Sequence, residues 1–215
     1  AAYKSTLGNA LNIAVVFSLP AMFGLVILSN HIIISLFQYG SFTINDTLMS
    51  SMSLVAYSIG LPAFILMKVL LTGFFSRQDT KTPVRYGIIA VAFNVAMNLS
   101  VLAYYLHNPF NGAHAFLALA TSLSAWLQVF LLYKNLRQND YISKSIFKTK
   151  PSYQSLLSCI IMTIILSYTL LDVLEWSQNA YYVRGALLLI YIIMGAIIYT
   201  STMYILGYKI KKNYI

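Results

Sequence analysis

Charge is scarce in this chain. Of 215 residues only 9% are Asp, Glu, Lys or Arg, and acidic residues number five. A soluble domain carries about 25% charged residues, so a chain this poor in charge cannot clothe its surface against water and takes lipid as its solvent. Cysteine is nearly absent: Cys159 stands alone in an apolar run. That excludes an intramolecular disulfide, offers no Cys/His spacing for a metal, and reads as a small packing residue. No pair of carboxylates falls at membrane depth, and there is no Ser/His/Asp set, H-E-x-x-H or Gly-rich phosphate loop, so the sequence does not read as an enzyme. An initiator Met is missing as well. The chain opens Ala1-Ala2-Tyr3-Lys4 and enters an apolar helix at once, without the basic start, short apolar core and cleavage site of a signal peptide. It therefore reads as a segment of a longer protein.

What the chain has is apolar length: 59% of residues are hydrophobic and the mean hydropathy is +0.73. Crossing a hydrocarbon core of about 30 Å takes roughly 20 apolar helical residues. Six runs qualify: Leu7–Ser29, Leu48–Phe75, Val84–Leu106, Gly112–Tyr133, Ser155–Leu174 and Val183–Leu206. Barrel strands are excluded, because these runs are continuously apolar and far exceed a strand of about 10 residues. Thr82-Pro83 supplies an N-cap and a first-turn proline for the third run. Pro151-Ser152 does so for the fifth, and Asn45-Asp46 offers capping oxygens before the second. Ile32–Phe37 is too short to cross and reads as an interfacial helix or a continuation of the first span. The expected fold class is all-α integral membrane.

The net charge of +9 does not indicate nucleic acid, because the cations sit in short segments between apolar runs rather than along a polar face. Lys4, Arg77, Lys81, Arg85, Lys134, Arg137, Lys144, Lys148, Lys150, Lys209, Lys211 and Lys212 all fall on one side of a six-span alternation. The positive-inside rule makes that side cytoplasmic, with both ends of the chain there. Arg184, Asp46, Asp172 and Glu175 fall opposite. The chain divides into residues 1–137 with the first four spans, a basic loop at 138–151, and residues 152–215 with the last two spans and a basic tail.

Few residues can carry chemistry. Pro20 and Pro62 each remove a helical hydrogen bond, at the carbonyls of Val16 and Ser58. With Gly60 they are candidate hinges about a central cavity, and static kinks are the alternative. Lys68 lies roughly 13 Å inside Arg77 along its helix, where a charge costs at least about 2.5 kcal/mol. It either faces a water-filled cavity that holds an anion or snorkels to the headgroups. Arg77, Lys81 and Arg85 could meet a pyrophosphate at the cytoplasmic mouth, or only fix topology and pair with Asp79. Asn94 and Asn98 share a face of the third span. Thr121 and Ser124 could satisfy them as interhelical glue, the favoured reading, with a cation site as the alternative. His31, His107 and His114 read as interfacial, the tyrosines and Trp176 as aromatic belts, and Trp126 as packing or cavity lining.

The run Tyr57-Ser58-Ile59-Gly60-Leu61-Pro62-Ala63-Phe64, continuing through Lys68-Val69-Leu70 to Gly73-Phe74-Phe75-Ser76-Arg77-Gln78-Asp79-Thr80-Lys81-Thr82-Pro83, resembles the MurJ/MviN family of the multidrug/oligosaccharidyl-lipid/polysaccharide exporter superfamily. Leu36-Phe37-Gln38-Tyr39-Gly40-Ser41-Phe42 is similar to the family's L-F-x-x-G-x-F segment, and Leu119-Ala120-Thr121-Ser122-Leu123-Ser124-Ala125-Trp126 to its motif in the corresponding span. The likeness runs along residues 1–137; the last two spans match only in length and apolarity. It implies a 14-helix flippase of the bacterial inner membrane, with these spans as helices nine to fourteen: the C-terminal lobe and the last two helices. The implied substrate is lipid II, the undecaprenyl-linked peptidoglycan precursor, moved from the cytoplasmic to the periplasmic leaflet. Besides lipid II and membrane lipids, the implied partner is an N-terminal lobe, which carries most headgroup-gripping residues; the last two helices would border a groove for the polyprenyl tail. Some relatives hold Na+ in this lobe, and Asn94, Asn98 and Thr121 sit where its ligands would be, with an acidic partner from before residue 1. Lys68, Arg77, Lys81 and Arg85 are the substrate-contact candidates. Rival readings are another lipid-linked glycan or drug exporter of the superfamily, and a non-transporting scaffold for cell-wall synthesis.

Overall fold

The computed structural model describes residues 2–108, 112–142 and 149–208. Lys144, Lys148, Lys209, Lys211 and Lys212 lie outside the described residues, as does the 143–148 part of the 138–151 loop. The described chain is helical: α1 (Ala2–Phe37), α2 (Ile44–Phe75), α3 (Lys81–His107), α4 (Ala113–Gln138), α5 (Lys150–Thr169), α6 (Val173–Gln178) and α7 (Tyr181–Ile205). All but α6 are long and apolar enough to cross a membrane.

Several boundaries differ from the sequence reading, each for a local reason. Ile32–Phe37 continues α1, which at 36 residues is about 54 Å long and outruns the hydrocarbon. It stops where Gly40 takes φ +60°, in the segment that resembles the family motif. The second helix starts at Ile44 rather than Leu48. Its N-cap is Thr43, in a capping box with Asp46, so Asp46 caps and Asn45 lies in the first turn. Thr82 does not cap α3. Thr80 holds that place without a side-chain bond, and Asp79 Oδ1 accepts the Thr82 N–H at 3.1 Å instead. The fifth span ends at Thr169, because Asp172 accepts the Val173 N–H at 2.7 Å and starts the separate turn α6.

With lipid as solvent, helices gain little from mutual apolar burial and associate through close packing and interhelical hydrogen bonds. Two cores form. Leu7, Leu11, Ala14 and Val15 of α1 pack with Leu66, Leu70 and Phe74 of α2 and Val129, Leu132 and Leu136 of α4. Val16, Leu28 and Ile34 of α1 pack instead with Cys159, Met162 and Leu166 of α5, Trp176 of α6 and Tyr191, Tyr199 and Met203 of α7. Helix α1 joins the cores because Val15 and Val16, about 100° apart around the axis, enter different ones. Helix α3 leans on α4 and leaves most of its surface open.

The basic ends meet. The Tyr3 hydroxyl donates to the Gly73 carbonyl at 2.6 Å, Lys4 pairs with Asp140, and Gln154 donates to the Leu206 carbonyl at 2.5 Å. Lys4, Arg77, Lys81, Arg85, Lys134, Arg137 and Lys150 therefore share one end of the bundle. Three helices close there with the same turn. The N–H groups of Asp79, Tyr141 and Tyr208 reach back to Phe74, Leu136 and Met203, while Gln78, Asp140 and Gly207 take positive φ, the Schellman arrangement.

Candidate functional site: the proline-bearing helices and their basic end

Both mid-span prolines sit where another helix approaches. Gly60 lies two residues before Pro62, and a Cβ there would fall 2.6 Å from Ser122 Oγ and 2.9 Å from Ser122 Cβ. The missing side chain is what lets α2 and α4 cross so closely. Around that contact, Ser122 donates to the Ala56 carbonyl at 2.6 Å and Trp126 Nε1 to the Ile59 carbonyl at 3.0 Å. Trp126 is thus a strut between α2 and α4. In α1, the Val16 carbonyl that Pro20 leaves without a helical donor accepts the Tyr199 hydroxyl at 2.6 Å.

Lys68 is exposed on the stripe of α2 that carries Tyr57, Leu61, Phe64, Thr72 and Phe75, turned away from Leu66, Leu70 and Phe74. It makes no ion pair; the single ion pair among the described residues is Lys4–Asp140. Arg77 does not pair with Asp79. Its guanidinium carbon lies 3.3 Å from the Tyr141 ring centroid, and Tyr141 meets Tyr3 edge-on at 6.4 Å. Asp79 instead spends its carboxylate on the Thr82 N–H, which with the Thr82 hydroxyl and the Arg77 charge holds its pKa below the usual 3.8. Lys81 and Arg85 are exposed on the first turns of α3.

Asn94 Nδ2 donates to Thr121 Oγ1 at 3.4 Å and Asn98 Nδ2 to Asn94 Oδ1 at 3.1 Å, so the three residues expected to lie together do. Ser124 does not join them; it bonds the Thr121 carbonyl of its own helix. Asn98 Oδ1 is buried without a hydrogen-bond partner, and such an oxygen suits a hard cation. The donor set fits part of a sodium shell. No cluster of three or more His, Cys, Asp or Glu exists among the described residues, so remaining ligands would come from elsewhere.

Three arrangements escaped the sequence reading. Trp176 is fully buried rather than in an interfacial belt. Its Nε1 donates to Ser35 Oγ at 3.0 Å, and it meets His31 edge-on at 4.7 Å. His31 is likewise buried, with Nε2 3.1 Å from the Leu171 carbonyl. Arg184 is half-buried at the opposite end, giving Nε to Asn179 O at 2.8 Å, Nη1 to Gln38 O at 3.4 Å and Nη2 to Ser177 O. At the basic end, Lys134 and Arg137 line a hollow of about 360 Å³ with Phe130, Tyr133 and Gln138. The sequence signal for it was present, because residues 130, 134 and 137 share one face of a helix, but their charges read only as topology.

The family profile described as "Lipid II flippase MurJ" matches residues 1–193, well into α7 and past the 1–137 stretch whose motifs are readable. The probable lipid II flippase MurJ of Haemophilus influenzae is 32% identical over 213 residues, covering 99% of this chain and 40% of that protein. The Vibrio cholerae protein of the same description is 42% identical over 134 residues, 62% of this chain and 24% of that one. A solved structure titled "Lipid II flippase MurJ, inward closed conformation" superposes with a TM-score of 0.75 at 26% identity, covering 94% of this chain and 39% of that chain. The chain therefore spans about 40% of the length of the curated relatives it matches most fully. With six membrane-length helices among the described residues, it is a multi-pass membrane protein, and it belongs to the MurJ lipid II flippase family.

Proposed function

We propose that this chain is the C-terminal lobe and last two helices of a lipid II flippase in the bacterial inner membrane. In this reading its basic end is cytoplasmic and it moves lipid II from the cytoplasmic to the periplasmic leaflet by alternating access, with two lobes rocking about a midplane site. The observation that carries the reading is Lys68. An exposed, unpaired cation at membrane depth on a proline-bearing helix is costly unless water or an anion meets it, and a pyrophosphate-linked headgroup is such an anion. Arg77, stacked on Tyr141 by one face, keeps its N–H edge for phosphate; Lys81 and Arg85 complete the basic entrance. Pro20, Gly60 and Pro62 would be the hinge positions, and Na+ the coupling ion at Asn94, Asn98 and Thr121. The polyprenyl tail would stay in lipid against the nearly uncharged α5 and α7.

The test is a chimera in which this chain replaces the matching segment of the Haemophilus influenzae relative, expressed in a strain depleted of its own flippase. Restored growth with outward lipid II movement is the expected result, together with impaired rescue by Lys68→Met at equal membrane insertion. Full rescue by Lys68→Met removes Lys68 from the site. An inserted chimera that never rescues points to a different lipid-linked cargo or to a scaffold role.

A further inference from the structure

Proline at position 20 leaves the Val16 carbonyl without its helical donor, deep in a protein core where water does not reach. Val16 is 4% exposed. An unpartnered carbonyl there is costly, and the usual remedies are water or a nearby serine of the same helix. Here the donor comes from another helix. The hydroxyl of Tyr199, on α7, sits 2.6 Å from Val16 O, and Ser155 Oγ of α5 sits 2.9 Å from Tyr199 Oη. A phenol has one proton. A carbonyl can only accept, so the Tyr199 proton goes to Val16, and Ser155 must be the donor to Tyr199. The result is a directed chain, Ser155 O–H to Tyr199 O–H to Val16 O, through three helices. Ser155 is fully buried and Tyr199 is 7% exposed.

We propose that Tyr199 is a positioning residue that sets the bend of α1 at Pro20, so that the last two membrane helices control a hinge of the lobe they flank. Three features support a role beyond packing. The acceptor is the one carbonyl of α1 that the proline vacates, rather than any of its paired neighbours. The donor is itself held by a second helix through Ser155. And among the described residues α1 is the only helix that enters both cores, so its course through Pro20 sets how α2 and α4 lie relative to α5 and α7. Straightening α1 moves Val16 O away from Tyr199. Displacing α7, as an occupant lodged against it would, releases Val16 and frees the bend. The consequence for transport rests on the proposed function; the coupling of Tyr199 to Pro20 does not.

The test compares amide hydrogen exchange in the full-length chimera in lipid nanodiscs, across four proteins: unsubstituted, Tyr199→Phe, Pro20→Ala and the double variant. Tyr199→Phe keeps the ring and removes only the hydroxyl, which gives its proton to Val16 and accepts one from Ser155. Exchange over residues 13–24 of α1 should quicken by roughly two- to tenfold, the span of one lost hydrogen bond, with α3 unchanged. In the Pro20→Ala background the same substitution should do nothing, because alanine restores the N–H that takes the Val16 carbonyl. Equal quickening in both backgrounds assigns Tyr199 to packing and overturns the proposal, as does no change in either. Should Pro20→Ala fail to insert, Ser155→Ala replaces it: its smaller quickening should vanish once Tyr199 is phenylalanine, and simple additivity would refute the chain. An unsubstituted chimera that moves no lipid II counts against the transport function alone, since the exchange comparison stands without it.

Discussion

Replacing Gly60 by alanine adds one methyl group, and two effects of opposite sign follow. Alanine is the better helix former by about 0.5–1 kcal/mol, so an isolated α2 would gain. The new Cβ, however, falls 2.6 Å from Ser122 Oγ and 2.9 Å from Ser122 Cβ, neither of them the end of a long flexible chain. Serine cannot move aside without breaking its 2.6 Å bond to the Ala56 carbonyl. Overpacking of this kind costs about 1–3 kcal/mol, and losing the buried hydrogen bond about 1 kcal/mol more. The net expectation is a destabilisation of about 1–3 kcal/mol, with sterics outweighing propensity. Ser122→Gly removes both clashing atoms, so Gly60→Ala should cost at least about 1 kcal/mol less in that background, a coupling well above the usual additivity error. Reversible unfolding in mixed micelles measures this, followed by tryptophan fluorescence, because Trp126 lies one turn from Ser122 and bonds α2. A Gly60→Ala protein as stable as the parent, or an equal loss with Ser122→Gly, would refute the close crossing.

Trp176→Phe keeps the apolar bulk but removes the N–H that reaches Ser35 Oγ; about 1–2 kcal/mol of stability should go, with Ser35→Ala recovering part of it in the same unfolding assay. Arg184→Lys should behave as a severe change, about 2 kcal/mol, because one ammonium cannot span the carbonyls of Asn179, Gln38 and Ser177 as a planar fork does; limited proteolysis of the turn between α6 and α7 would quicken. Asp79 has its folded pKa depressed below 3.8, chiefly by the Thr82 backbone N–H. Its support of the first turn of α3 is therefore complete above the ordinary carboxylate value and lost as pH falls through the lower folded one. A carboxyl chemical-shift titration should give a midpoint below 3.8, and Asp79→Asn should abolish the pH dependence of Thr82 amide exchange.

The spans were legible because lipid imposes a length and an apolarity that few residues can disguise, and six runs of that kind became six membrane-length helices. The ends were less so. Thr82 was the obvious cap beside a proline, yet Asp79 does the capping, because a side chain from the preceding turn reached the N–H first. Trp176 carries the composition signal of an interface, and only the fold of α6 back onto α1 turns that ring into the core. Of the site, the grouping of Asn94, Asn98 and Thr121 could be read, since i,i+4 spacing fixes a face. The stacking of Arg77 on Tyr141 could not, because it depends on the positive φ of Asp140, which swings the ring under the end of α2. The Val16 carbonyl lay in between. Proline announced in the sequence that a donor was needed, but with 17 tyrosines nothing short of the packed helices says which one supplies it.

Reconstituting the chimera with the Haemophilus influenzae relative into proteoliposomes, and following fluorescent lipid II from one leaflet to the other, tests the transport function most directly. Translocation well above that of protein-free vesicles, reduced by Lys68→Met, is the expected result. A folded, inserted chimera that leaves lipid II in its starting leaflet, under conditions where the intact relative moves it, would contradict a flippase role for this chain.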